Sequence, residues 1–583
     1  MKIDIEQIIS NYYGNNISTI PVVYRRLIFS TLKKVLYIDH INKFLDVHNH
    51  LGEKQLIQEF FDHINFSFLI SNSDLQKIPS EGRLICVANH PIGSLDGLSL
   101  IKAILEIRSD VKIIANEILY SFENLRPFLL PYKLDSKLAQ REYITSIYKT
   151  LEEEGVLIIF PAAEVSRLKG ISIMDSKWHK GAVNFAKKFQ APVLPIYIEA
   201  KNSILFYMVS CLSKKLSMLL LAFECFNKKN KTIHIKIGDL IPAKVFTSSF
   251  IDDSYQTKLL KKHVYLIGKN RKGVYLTEKN VIHPIDRKCI KRELNNAQLL
   301  GITKDKMKIY LTTKDESPQS VYEIARLREL TFRKVGEGTG KKLDLDKFDI
   351  YYSHLIVWDD KELDILGAYR IGRGNYIYNK YGKDGFYTST LFEYSQDFTQ
   401  NYLEDSIELG RSFIQKKYWN TNALNYLWQG IGAYLANNES VKFMFGGVSI
   451  SNNYPDFAKE LIVFYYNKWF KDESNLAYSK RNFIIPEKRR MDLESVFKAD
   501  TPRDDYKVLK NMLKPSGFSI PILYKHYSDL CNENGIRFLD FSIDSDFANC
   551  IDGLILVNVE LIKEEKKQKF IKGSYKEELK IPA

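Results

Sequence analysis

The residues best suited to chemistry stand at 90 and 96. In ANHPIGSLDGL, residues 88–98, a histidine and a carboxylate have five residues between them, proline and glycine included, so the chain can fold them back toward each other. His90 so paired can take a proton from an alcohol as it attacks an acyl carbon, with Asp96 fixing the imidazole tautomer and stabilising the imidazolium. No serine or cysteine nucleophile is needed when the acceptor is the attacking alcohol. The same residues also read as a plain turn, NHP, followed by a helix N-cap, Asp96. A second pair, Glu408 and Arg411 in ELGRSFI, is three residues apart. That spacing puts both on one helical face or around a turn, as an ion pair near an active site or as a structural salt bridge.

The elements around the first pair have a clear texture. Leu84 to Val87 is a short apolar run and Leu98 to Ile107 is helix-like, so His90 sits at a strand-to-helix turn. Further apolar runs follow at 111–116, 155–161, 191–200 and 232–241, with helix-like stretches between several of them. Strand alternating with helix predicts an α/β domain around a sheet with parallel pairs, whose ligands gather at the carboxyl ends of the strands. His90 and Phe160-Pro161 both fall at such ends.

At these residues the sequence resembles the glycerolipid acyltransferases. NHPIGSLDG is similar to their first motif, FPAAEVSR (160–167) to the acceptor-binding motif and APVLPIYI (191–198) to the last, with VKIIANEIL (111–119) in the place of the second. The usual spacing has four residues between histidine and aspartate. The longer NHPxGxxDG form resembles the acyltransferases of ornithine-lipid synthesis and their so-called hemolysin relatives. The resemblance implies that His90 and Asp96 are catalytic. It implies substrate contacts from Asn89, Gly93, Gly97, Asn116, Phe160, Pro161, Glu164, Ser166 and Arg167. Arg167, with Lys169 and Lys177, would hold a carboxylate or phosphate. Ala163 departs from the usual glycine and puts in question how closely its loop approaches a ligand. Asp175, Trp178, Lys180 and Gly181 also fit the subgroup, without an evident role.

A second α/β unit begins near residue 306. Residues 306–313 read as a strand, 321–333 as a helix, 351–360 and 363–372 as a strand hairpin, and 441–451 as another strand. ELGRSFI, LWQGIGAYLANN (427–438) and MFGGVSIS (444–451), in this order, resemble the acyl-carrier-protein-dependent N-acyltransferases of ornithine-lipid synthesis, distant relatives of the acetyltransferase-like (GNAT) and autoinducer-synthase folds. SIPILYKHYSDL (519–530) fits that family's closing segment. The resemblance implies attack of an amino acid's α-amine on a 3-hydroxyacyl thioester. Glu408 would then serve as base or amine-binding group, and Arg411 would orient it or grip the substrate carboxylate. Trp428 and Tyr434 read as packing residues.

Both patterns in one chain predict a bifunctional aminolipid synthase of the ornithine- or glycine-lipid type, N-acylating an amino acid and then O-acylating the 3-hydroxyl of the lyso-lipid. The expected organisation is a helical, membrane-surface region at 1–80, an O-acyltransferase domain at 81–270, a connector at 271–305 and an N-acyltransferase domain at 306–583. The within-class alternative is a lysophospholipid acyltransferase with a recruiting second domain. The other is a non-enzymatic peripheral membrane protein.

Composition bounds the partners. The net charge of +14 calls for an anionic partner. Acidic acyl carrier protein and an anionic membrane both answer it, with acyl carrier protein or coenzyme A carrying the donor acyl group, no tightly bound cofactor, and no nucleic-acid-binding signature. The six cysteines form no C-x-x-C pair and no metal-ligand cluster is visible, which fits a reducing compartment. No export leader is evident, and no run reaches the ~18–20 apolar residues of a spanning helix. Two stretches suit a membrane surface instead: the basic amphipathic segment Pro21 to Asp46, and Ile204 to Phe223, broken by Lys214 and Lys215. Each also reads as a packing helix. The expected location is the cytoplasmic face of a bacterial membrane, held peripherally.

Overall fold

The computed structural model describes residues 37–48, 50–116, 123–132, 137–248 and 250–571, together with Ser30 and Lys33. Most of the basic segment from Pro21 to Asp46 lies outside them, as do residues 117–122. The chain divides into two compact units, Met1–His283 and Pro284–Ala583. Residues 271–305 are shared out. Asn280 and His283 bond to carbonyls of Gln76 and Ile78 in the first unit, and 287–302 supply a helix and an edge strand to the second.

The first unit is a sheet between two helix layers. Its strands are β1 (Ser67–Leu69), β2 (Leu84–Ala88), β3 (Val111–Asn116), β4 (Leu129–Tyr132), β5 (Val156–Ile159), β8 (Val193–Glu199) and β9 (Thr232–Ile237), with a small hairpin of β6 (Arg167–Lys169) and β7 (Ser172–Met174) outside the sheet. The order is β1-β9-β8-β2-β5-β3-β4, parallel except for the β8–β9 pair. The five apolar runs read from the sequence are β2, β3, β5, β8 and β9. Central β2 is buried on both faces, as a covered parallel strand must be. Leu84, Cys86 and Ala88 meet helices α1 (Glu53–His63) and α2 (Ser94–Leu105). Ile85 and Val87 meet α3 (Lys137–Glu152), α4 (Gly181–Phe189) and, after the pair α5 (Ile204–Leu212) and α6 (Lys214–Phe226), helix α7 (Asp253–Gly268). The expected single apolar helix at 204–223 is two helices, because Ser213 takes an extended conformation between them.

The second unit is an eight-stranded sheet. Helix α8 (Arg287–Leu294) precedes β10 (Gln298–Ile302) and β11 (Lys308–Thr312). Then follow α9 (Pro318–Val335), β12 (Ser353–Asp359), β13 (Asp364–Arg373), β14 (Phe392–Tyr394), β15 (Ser406–Ile414), α10 (Ala423–Ala436), β16 (Phe443–Ile450), α11 (Asp456–Trp469), β17 (Ala477–Ser479), β18 (Ile536–Asp544) and β19 (Cys550–Asn558). The order is β10-β11-β12-β13-β15-β16-β19-β18, and β14 and β17 pair separately. Helices α10 and α11 pack on one face, α8 and α9 on the other. All sheet neighbours are antiparallel except β15 and β16, which pair only from Ser406–Phe443 to Glu408–Phe445 and then diverge. At the point of divergence a Cβ on Gly446 would collide with the Leu409 carbonyl, so only glycine fits. No helix among the described residues is long and apolar enough to cross a membrane.

Candidate active sites

In the first unit, β2 ends at Ala88 and α2 begins after Gly93. Gly93 takes φ +97°, a conformation open to glycine, and this reversal brings Asp96 back under the turn. His90 Nδ1 lies 3.0 Å from Asp96 Oδ2, and the same oxygen accepts from the Ile92 and Gly93 amides at 2.9 and 3.0 Å. Asp96 is fully buried. Burial pushes its carboxyl up from the ordinary range, while the hydrogen bonds from His90, Ile92 and Gly93 work the other way. With Nδ1 donating to Asp96, Nε2 is the proton-accepting nitrogen of a half-buried ring that stacks on Phe160 at 4.2 Å. The pair can therefore accept a proton at Nε2 and hold the resulting imidazolium against a fixed carboxylate.

The other predicted residues divide by what they touch. Asn89 uses both ends of its amide on β8, accepting from Ile198 N at 2.7 Å and donating to Ile198 O at 2.9 Å, so it fastens the turn to the sheet. Gly97 packs α2 against β3, where a Cβ would meet Ile113 at 3.0 Å. Asn116 is the last residue of β3; its side chain lies outside the described residues. Pro161 is buried, and its carbonyl accepts from the His179 amide at 2.8 Å.

Arg167 is not an exposed anion grip. It is buried and donates to Ser210, to Ser217 at 2.8 Å and to Glu164 at 3.2 Å, which ties β6 to α5 and α6. Partial burial would raise the Glu164 carboxyl, but hydrogen bonds from Ser176 and Arg167 and the charge of Lys214 hold it below its usual range. Ala163 adopts φ +55°, the left-handed conformation that its glycine counterpart would take freely. Ala163→Gly is expected to stabilise the first unit by up to about 1 kcal/mol in a thermal melt.

The residue that organises this loop is Asp175. Fully buried, it accepts from Ser166 Oγ at 2.5 Å, Trp178 Nε1 at 2.8 Å and the His90 amide at 3.3 Å, and its own amide is 2.8 Å from the Tyr265 hydroxyl. Ser166 also donates its amide to the His90 carbonyl at 2.7 Å. Ser166 and Asp175 thus position His90 through its backbone.

In the second unit ELGRSFI is strand β15, neither helix nor turn. Arg411 and Ser412 together oppose the single residue Tyr369, a β-bulge in which Arg411 takes φ +50°. Glu408 and Arg411 do not pair with each other. Glu408 is 2% exposed, and its Oε2 accepts from Tyr352 Oη and, at 3.0 Å, Tyr387 N. Its Oε1 accepts from Thr388 N at 2.7 Å and Thr388 Oγ1 at 2.5 Å. All four lone-pair directions are used, which leaves no acceptor for an amine proton.

Arg411 lies between the rings of Tyr387 and Phe547, 4.6 and 4.5 Å from their centres, and pairs with Asp344 at 3.3 Å and Asp346 at 3.9 Å. It joins a buried lattice in which Arg328 grips Asp349 with two 2.9 Å bonds and Arg370 bonds Asp346 at 2.7 Å. Burial pushes His354, beside Asp349, down to about 4, so it stays neutral.

Two further buried carboxylates, absent from the motifs read above, feel the charge of Arg411. Burial pushes Glu337, just past α9, up to about 7 against a Ser449 hydrogen bond and the Arg411 charge. Burial, with the charges of Asp544 and Glu337, pushes Asp552 on β19 up to about 8. Both values lie above the ordinary 4.5 and 3.8, so the folded state keeps protons that the unfolded chain releases. Stability from this pair is present in acid and declines as pH rises through 7 and 8. Denaturant melts at about pH 5 and about pH 8 should show that loss, and Asp552→Asn should flatten it.

Together these sites define an acyltransferase of two units. One is an α/β unit with a histidine–aspartate pair at a strand end, and the other a GNAT-type unit with a diverging strand pair. Residues 19–272 match the family described as Acyltransferase, and residues 327–429 match the Acetyltransferase (GNAT) domain. The chain is 33% identical over 309 residues to a glycine N(alpha)-acyltransferase of Phocaeicola vulgatus, covering 51% of this chain and 94% of that protein. It is 29% identical over 254 residues to a lyso-glycine lipid O-acyltransferase of the same organism, covering 42% and 88%. An L-ornithine N(alpha)-acyltransferase of Rhizobium meliloti is 29% identical over 164 residues, covering 27% and 54%. The chain belongs to the glycine Nα-acyltransferase family, joined in one polypeptide to a second acyltransferase unit.

Proposed function

We propose that the chain makes a diacylated aminolipid in two consecutive steps, with glycine as the preferred head group. The second unit transfers a 3-hydroxyacyl group from a thioester to the amino acid's α-amine. The nitrogen forms the amide bond, the C–S bond breaks, and the amine proton leaves so that a thiol departs. The first unit then transfers a second acyl group to the 3-hydroxyl. His90 Nε2 takes the hydroxyl proton as oxygen attacks the thioester carbonyl, and the imidazolium returns it to the departing thiolate. The single observation that carries the ester step is the fixed His90–Asp96 pair with Nε2 as its proton-accepting nitrogen. Glycine is favoured over ornithine because the glycine relatives align over nearly their whole length and the ornithine relative over about half.

The donor is an acyl thioester of acyl carrier protein or coenzyme A. Both carry a phosphopantetheine arm with two amides, and the edges of β15 and β16 that diverge beyond Glu408 and Phe445 offer backbone partners to such an arm. The test is tandem mass spectrometry of lipids from a host that lacks aminolipids and expresses the full chain. The expected product carries a glycine head, one amide and one ester. A host lipidome with no new amino-acid-headed lipid overturns the proposal, and an ornithine head overturns the choice of glycine.

A further inference from the structure

Two elements hang on the His90 turn from outside the sheet, and both expose apolar side chains. The β6–β7 hairpin follows directly on Ser166, whose amide bonds the His90 carbonyl. Helices α5 and α6 reach the turn through Asn202, which donates to the Pro91 carbonyl at 3.2 Å, and through Leu221, which lies beside Gly93. Inward, Phe206 and Tyr207 of α5 pack with Val165, and Arg167 locks both helices to the hairpin.

Outward, the same pieces are unlike an ordinary surface. Ile204, Leu205, Met208 and Leu212 lie on one face of α5, with Ile204 79% and Leu212 87% exposed, and Leu168 and Ile171 stand exposed on the hairpin. The charges around them are mainly basic, and the partly exposed Glu164 before the hairpin is engaged by Arg167 at 3.2 Å and by Lys214 at 3.6 Å. Lys169, Lys177, Lys180, Lys201 and Lys214 are exposed, whereas the acidic residues of these stretches, Asp175 and Glu224, are buried and bonded. A nine-residue helix is too short to span a bilayer. An apolar face rimmed by lysines fits the boundary between anionic headgroups and acyl chains.

We propose that α5 and the β6–β7 hairpin dock the first unit on an anionic lipid surface, so that a hydroxyl held at headgroup depth is presented to His90. This rests on the proposed ester step for its purpose, although the docking itself requires no turnover. The exposed leucine, isoleucine and methionine then enter the lipid, and the lysines meet phosphate groups.

The test floats the full chain with vesicles of phosphatidylcholine alone or mixed with phosphatidylglycerol. The chain should float with the mixed vesicles, and the variant carrying Ile171→Asp, Ile204→Asp and Leu212→Asp should lose at least about tenfold in vesicle partition with an unchanged thermal melt. A second variant, Lys177→Glu with Lys201→Glu, should lose binding to mixed vesicles more than to neutral ones. Absence of wild-type binding, or equal flotation of the aspartate variant, overturns the proposal. A dimer of the wild type that the aspartate variant converts to monomers, with vesicle binding unchanged, assigns the face to a second copy and also overturns it. Ester formation on a monodisperse short-chain acceptor should be equal in wild type and variant. If the wild type binds vesicles but makes no ester, the ester step fails and the docking stands.

Discussion

His90→Ala should lower ester formation by about 10²–10⁴-fold while amide formation continues, so that the mono-acylated lipid accumulates. In the proposed ester step the imidazole accepts the proton of a hydroxyl whose own acidity is far too low at neutral pH, and alanine leaves nothing at that position to take the proton. Asp96→Asn separates chemistry from stability. Asp96 is fully buried and its carboxyl is pushed up by that burial, so removing its charge relieves a cost to the folded state. The amide oxygen can still accept from Ile92 and Gly93, but it cannot neutralise an imidazolium. The expected result is a melt no lower than wild type with ester formation reduced by about 10²-fold or more, measured as the rate of acyl transfer to a short-chain acceptor. Loss of stability together with activity would mark Asp96 as a packing residue with no part in proton transfer.

The first unit was largely legible because its central strands are short apolar runs, and a parallel strand covered on both faces leaves that signature. The turn at His90 was legible for the same reason: its chemistry lies within seven residues. What stayed hidden is held together over distance. Asp175 is remote from His90 in sequence, and Arg167 reaches Ser210 and Ser217. An exposed basic loop and a buried clamp look alike until those partners are in place.

In the second unit the hidden part was charge. Glu323, Arg326, Arg328 and Glu329 of α9 have the pattern of a solvated face, yet all four are buried because partners such as Asp349 arrive from beyond the helix. β15 was misread because Glu408 and Arg411 suggested a helical spacing. The strand signal was the apolar alternation of Ile407 and Leu409, which the bulge at Arg411 then interrupts.

Glu408 therefore has a different expected result from the one its sequence position suggested. If it were the amine's base, Glu408→Gln would keep the fold and abolish amide formation. With both oxygens saturated by Tyr352, Tyr387 and Thr388, the glutamine amide must instead point its NH2 at donors. That leaves buried N–H or O–H groups unpaired, each costing about 1–3 kcal/mol. Glu408→Gln should thus lower the second unit's stability by several kcal/mol, with amide formation falling as Tyr387 loses its place over the Arg411 guanidinium. Glu337→Gln makes the opposite prediction. The residue is buried near Arg411 and is pushed up to about 7, where a carboxyl can exchange a proton with an amine near neutrality. Its amide replacement removes a charge that burial disfavours, so stability should hold or rise above about pH 7 while the limb of the rate profile near that pH shifts or disappears. Measuring the pH profile of amide formation in both variants decides between them. A Glu408→Gln protein that melts like wild type and makes no amide would return the base to Glu408. A Glu337→Gln protein with the wild-type profile would remove Glu337 from the proton path.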